Sequence, residues 1–235
     1  MSTNAAETYL RSYDAREMPR YTVGNVAAYL HAPESTIRAW FFRMPYGRKP
    51  HIRHFRPILK PAGQELLSFY DAVSAHVLMA LKAKNVGIED IRAVVHELNK
   101  QYPENRYPLL GQNFYLFGKN VVLKELGKRI TLTRGRQLGF RHIMDRFLRR
   151  LELDADKMPV SFSPIINPKA KSRGFIVIDP NLSGGRPLLR GSGIAAEVIA
   201  ERRKSGESIA RLSKDYRLSR RAIEEAVKYF TKQAA

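Results

Sequence analysis

The sequence predicts an α+β chain, mainly helical, with three structured parts: an N-terminal winged helix-turn-helix, a small β-meander in the middle, and a C-terminal three-helix helix-turn-helix module. Three observations lead there. Apolar residues recur at helical spacing in two separated stretches, each broken by short turns. Brief β-rich runs lie between them, punctuated by Gly118, Lys119 and Asn120 and by Gly127 and Lys128. Positive charge gathers on both sides of a stretch, 64–101, that carries 4 basic and 5 acidic side chains and is therefore nearly neutral. The implied organisation is a flexible N-terminus over 1–20 and a winged helix-turn-helix with helical extension over 21–101. A meander plus an amphipathic helix follows over 102–154, then a linker and short strand over 155–178, and the C-terminal module over 179–235.

Taken in order, Val23, Val26, Ala27 and Leu30 share one face of a first helix, and Thr22 suits its N-cap. Pro33 ends that helix and fits the first turn of the next, with Glu34 at its positive end. In the second helix Ile37 and Trp40 point inward, leaving Ser35, Thr36, Arg38 and Ala39 outward. A basic, turn-rich stretch with Arg43, Tyr46, Gly47, Arg48, Lys49, Arg53, His54 and Arg56 then predicts a short hairpin, the wing. Leu66, Phe69, Tyr70, Val73, Val77, Ala80 and Leu81 form a helical stripe, and Ile88, Ile91, Val94, Val95 and Leu98 form another; both predict amphipathic helices.

Short strands are predicted at 114–117, 121–126 and 130–132. Phe140, Ile143, Met144, Phe147, Leu148 and Leu151 mark the apolar side of a further helix. Pro159, Pro164, Pro168 and a basic run over 169–173 predict a linker, and Phe175 to Ile178 a short strand. Two helices, Ile209 to Tyr216 and Ala222 to Phe230, close the chain; the second is preceded by Leu218, Ser219, Arg220 and Arg221.

Lys and Arg number 41 against 22 Asp and Glu, a net charge of +19 and a pI near 10.3. So large an excess implies a polyanionic partner, of which nucleic acid is the commonest. The absence of cysteine excludes disulfides and cysteine-ligated zinc. The first residues lack the pattern of a secretion signal, and no run of about 18 apolar residues could span a bilayer. A cytoplasmic protein without membrane contact is expected. No cofactor or metal is expected either: His51 and His54 alone lie close, without an acidic partner, and Gly191-Ser-Gly193 lacks the third glycine of a dinucleotide fingerprint. Asp71, Glu89, Asp90 and Glu97 read as solvated helix faces rather than a Mg²⁺ cluster, so no enzyme is expected.

The run from Tyr21 to Leu30, with Pro33, Glu34, Ser35, Thr36, Ile37, Arg38 and Trp40, resembles the opening of MerR-type regulators. Leu67 to Val73 and Gly87 to Arg92 resemble the helices that follow there, so this likeness covers about 20–101. The long dimerisation helix and effector cysteines of metal-sensing members are missing, and metal sensing does not carry over. The turn Gly185 to Gly191, with Gly206 to Ile209 and Leu212 to Tyr216, resembles a small antitoxin module long classed as a domain of unknown function and commonly encoded beside PIN-like toxins. Its usual Arg-Gly-Thr-Arg-like turn is here Arg190-Gly-Ser-Gly193, followed by Ile194. Together these parts are similar to long VapB-type antitoxins.

That resemblance implies an antitoxin of a type II pair, which neutralises a PIN-like ribonuclease and represses its own operon on double-stranded DNA. A homodimer or a toxin–antitoxin hetero-oligomer would be the working form. Small polar residues and an arginine at the start of a second helix suit a major groove. The candidate DNA contacts are Thr22, Ser35, Thr36, Arg38, Arg43, Arg48, Lys49, Arg53, Arg56, Ser219, Arg220 and Arg221. No toxin-binding residues can be assigned beyond the C-terminal module and the 155–178 segment. The alternatives are a stand-alone MerR-like regulator without a toxin, and an architectural or RNA-binding protein that binds nucleic acid through charge alone.

Overall fold

Thr22 opens the first helix, α1 (Val23–Leu30), through a capping box. Its Oγ1 accepts from the Asn25 amide at 3.0 Å while the Asn25 side chain accepts from the Thr22 amide at 3.0 Å. Val23, Val26, Ala27 and Leu30 are the buried face, as their spacing predicts. His31 ends the helix in the left-handed region, with φ at 50°. Helix α2 (Glu34–Phe41) then buries Ile37, Trp40 and Phe41. In this computed structural model residues 14–46, 50, 53–83, 86–111, 145, 147–164 and 174–231 are described. The predicted meander strands, and Phe140, Ile143 and Met144 of the helix after them, lie outside that set.

Strands β1 (Met44–Tyr46) and β2 (Arg53–Phe55) pair antiparallel directly after α2, with Met44 opposite Phe55. The Trp40 carbonyl accepts from the amides of Ile58 and Leu59 at 2.8 and 2.9 Å, tying the chain leaving the hairpin to the end of α2. Helices α3 (Phe69–Lys82) and α4 (Ile88–Gln101) follow. The fold is α+β, with helices dominating and sheets of two strands.

Helix α3 departs from its predicted amphipathic character. Every residue from Phe69 to Leu81 except Met79 is buried, so it is the central helix of the main core. Small side chains explain the difference: Ala72, Ser74 and Ala75 let neighbouring elements close over the side that the predicted stripe leaves blank. Asp71 is corrected with it. It is 1% exposed, and its carboxylate accepts from the amides of Ser68 and Ala62, both at 2.9 Å, to cap the helix. Burial pushes its carboxyl above the usual range despite those donors.

His76 sits one turn further on, between the rings of Phe147 and Phe162, and burial pushes its imidazole down to about 3. The unfolded chain takes up this proton near pH 6.5. Between these pH values the unfolded state holds the extra proton, so stability falls as pH drops below about 6.5. A His76→Gln chain should lose less stability between pH 7 and pH 5 in urea titrations than the parent; an equal loss would remove His76 from the acid sensitivity.

The helix with Phe147 and Leu148 stops before Leu151, which was predicted on its apolar side. Leu151 instead opens β3 (Leu151–Leu153), paired antiparallel with β4 (Pro159–Phe162). The stretch predicted as linker thus contains a strand. Pro159 is tolerated at the first position of β4, beside the register shift between Glu152 and Leu153, where no ladder amide is required. Phe162 exchanges two backbone hydrogen bonds with Ile178, at 3.0 and 2.8 Å, and so joins this hairpin to the C-terminal part.

There β5 (Ile176–Val177), inside the predicted strand, pairs with β6 (Leu188–Leu189). Helices α5 (Ala196–Lys204), α6 (Ile209–Tyr216) and α7 (Arg220–Thr231) close over a separate small core of Ile176, Leu189, Ile199, Leu212, Ile223 and Tyr229. The boundaries of α6 are those the periodicity predicts. This module is tied to the rest by named contacts. The Arg190 guanidinium donates to Glu152 and to Ser163, both at 2.5 Å, and Arg20 donates to the Pro180 carbonyl at 2.8 Å. Among the described residues no helix is long and apolar enough to cross a membrane.

Candidate nucleic-acid interface

Helix α2 is amphipathic in a way that leaves one face to solvent. Its apolar side chains anchor it in the main core, while Ser35 and Arg38 are exposed and Thr36 is half-buried. Arg38 donates to Glu34 at 2.7 Å, an exposed pair one turn apart. The turn that aims this helix is held from outside. Tyr229 of α7 places its ring edge-on to His31 with centroids 4.8 Å apart, and its hydroxyl donates to the Tyr29 carbonyl at 2.8 Å. A left-handed His31 costs roughly 1–2 kcal/mol relative to an ordinary backbone conformation, and these contacts offset part of it.

The predicted side chains divide by location. Ser35, Thr36 and Arg38 share α2, and Arg43 and Arg56 are exposed on either side of the β1–β2 pair. Arg92 of α4 donates to the Arg56 carbonyl and fixes the strand exit. The backbone of Arg53 lies in β2; Arg48 and Lys49 lie outside the described residues. Thr22 is exposed, but its hydroxyl is engaged in the α1 cap.

Ser219, Arg220 and Arg221 lie towards the other end of α7 from the residue that meets α1. They begin that helix, and Tyr229, nine residues along from Arg220, is what touches α1. That separation is about 13 Å of helix. Ser219 accepts from the Ala222 amide at 3.2 Å as a cap, and the two arginines are exposed in a first turn with no acidic residue. Cations at the positive end of a helix cost a few tenths of a kcal/mol or more, about 0.3–1 each. Other cations of the module are neutralised in place: Arg202 pairs with Glu207 at 2.5 Å and Asp215 at 2.7 Å.

Lys82, at the end of α3, was not among the predicted contacts. Its Nζ donates to Thr36 Oγ1 at 2.9 Å, which puts an exposed ammonium beside the outward face of α2. Forty-six positions separate the two residues, so no local pattern could have paired them. Among the described residues no group of three or more His, Asp or Glu side chains is arranged to hold a metal ion.

Residues 176–230 match a family model described as "Protein of unknown function (DUF433)". That span runs from the first residue of β5 to the penultimate residue of α7 and coincides with the separate small core. Among solved structures, the X-ray crystal structure of Rv2018 from Mycobacterium tuberculosis is similar to the whole arrangement. It has a TM-score of 0.64 at 19% identity, covering 89% of this chain and 98% of that one. At that identity the likeness is one of fold. No curated protein matches the sequence. The DUF433 segment is therefore one part of a longer fold shared with Rv2018, and its Tyr229 is the residue that meets the α1–α2 turn.

Proposed function

We propose that the chain is a non-catalytic antitoxin and autorepressor, which binds its own operator DNA through α2 and neutralises a PIN-like ribonuclease. One observation carries the DNA half: Ser35, Thr36 and Arg38 face solvent on a helix locked into the core by Ile37 and Trp40, with Lys82 against Thr36 and exposed Arg43 and Arg56 nearby. Read as a winged helix-turn-helix, α2 supplies base contacts and the β1–β2 pair supplies phosphate contacts. The charge of +19 supports a nucleic-acid partner. The antitoxin half rests on the resemblance of residues 185–216 to the antitoxin module. Arg220 and Arg221 are assigned a second phosphate contact, consistent with their placement against the helix dipole.

Two measurements test this. DNA from upstream of the gene should be bound with sequence preference, and the neighbouring gene product should co-elute with this chain and lose its toxicity. Binding that shows no preference between that DNA and a scrambled duplex would leave only charge-driven association. Specific binding without any complex would make the chain a stand-alone repressor. Within the DNA half, Lys82→Ala should weaken binding about equally on all sequences and lower the salt slope by about 1. A slope unchanged across a salt titration would take Lys82 off the DNA.

A further inference from the structure

The end of α1 leaves its last carbonyls without helical partners. The turn itself satisfies two of them: Ala27 accepts from the Ala32 amide at 2.9 Å and Ala28 from the His31 amide at 3.1 Å. The Tyr29 carbonyl takes its donor from 200 positions away, the Tyr229 hydroxyl at 2.8 Å. Tyr229 is fully buried, and Ala222, Ile223 and Ala226 seat its helix in the small core. The DUF433 segment therefore sets where that hydroxyl stands. The same ring packs edge-on against His31, the residue that carries the left-handed backbone. The ring of Tyr29 in turn meets Tyr21 edge-on with centroids 6.1 Å apart, and Tyr21 abuts Gly185 of the same segment.

Ile37 and Trp40 fix how α2 is rotated about its axis, while the His31 turn fixes where its first residues stand. Ser35 and Thr36 come four and five residues after His31. Hydrogen bonds to base edges need donor and acceptor placed to within roughly a few tenths of an ångström. Exposed arginines and lysines reach phosphates from many positions. A shift of the turn would thus be felt in base reading well before it is felt in charge-driven binding.

We infer that Tyr229 is a positioning residue for base reading: it holds the α1–α2 turn in the form that sets Ser35, Thr36 and Arg38 against the major groove, and it touches no DNA itself. The inference rests on the DNA-binding half of the proposed function. It gives Tyr229 of the DUF433 segment a part in operator choice through the fold. Without the hydroxyl the Tyr29 carbonyl loses its donor, and the turn spends part of its time in other forms. Apparent operator affinity then falls in proportion to the fraction that stays competent.

Tyr229→Phe in the full chain removes the hydroxyl and keeps the ring. The ratio of affinity for the upstream DNA to that for a scrambled duplex should fall about two- to tenfold, the range of a single hydrogen bond. Affinity for the scrambled duplex and its salt slope should stay at the parent's values. Amide exchange should quicken at His31 and Ala32, whose bonds close the turn, while the amides of α3 keep the parent's protection. An unchanged ratio overturns the inference and leaves the DNA-binding reading standing. An equal loss on both duplexes also overturns it, since Tyr229 would then support the fold and not the reading of bases. If the parent chain itself shows no preference for the upstream DNA, the DNA-binding reading falls and this inference with it.

Discussion

Gly185→Ala is expected to cost about 2–4 kcal/mol and to loosen the C-terminal module from the main core. Gly185 has φ at +76°, a region that L side chains rarely adopt. A Cβ there would lie 1.8 Å from Tyr21 Oη and 2.8 Å from Cζ. Tyr21 cannot retreat easily, because it is 3% exposed and its backbone pairs with Leu67 at 2.8 and 2.9 Å. The nearby Arg20 contact to Pro180 belongs to the same junction. Urea titrations would measure the loss. A Gly185→Ala/Tyr21→Leu double change should cost less than the sum of the two single changes, since the collision is removed while the backbone strain remains. A Gly185→Ala chain within 0.5 kcal/mol of the parent would mean that Tyr21 moves aside, so that its contact with Gly185 is not part of what holds the module to the main core.

Arg38→Ala is expected to reduce discrimination between operator and altered DNA by about 1–3 kcal/mol, confined to one or two base positions. In the free protein Arg38 is paired with Glu34, both side chains about half exposed at 47% and 54%. An exposed pair of this kind contributes at most about 1 kcal/mol, so exchanging Glu34 for a guanine edge is inexpensive. Glu34→Gln should then leave the base preference in place and raise affinity modestly, because it removes a carboxylate from beside the phosphates. Competition titrations with duplexes altered one base pair at a time separate these effects. Equal weakening of Arg38→Ala on every duplex would make Arg38 a phosphate contact and move base reading elsewhere.

The outward face of α2 and the burial of α3 differ in how they become visible. Ser35, Thr36 and Arg38 could be placed outward from the spacing of Ile37 and Trp40 alone, because a helix has one period and two anchors set its rotation. Thr22 as a cap, the buried face of α1 and the limits of α6 follow from equally local rules. Asp71 and α3 do not. Their burial depends on what packs across from the small residues, which no spacing within the helix records.

By itself, then, the sequence determined the α+β class, the helix pair and its solvent face, and the net charge of +19. Those properties belong to the composition or to stretches shorter than a few turns. Only the tertiary structure decided that α3 is the core, that a strand at Pro159–Phe162 replaces part of a linker, that Lys82 meets Thr36, and that Tyr229 holds the α1–α2 turn. Each of these joins residues far apart in the chain. Such contacts form only when burial of both partners outweighs the entropy of closing the loop between them, and that balance is a property of the whole fold.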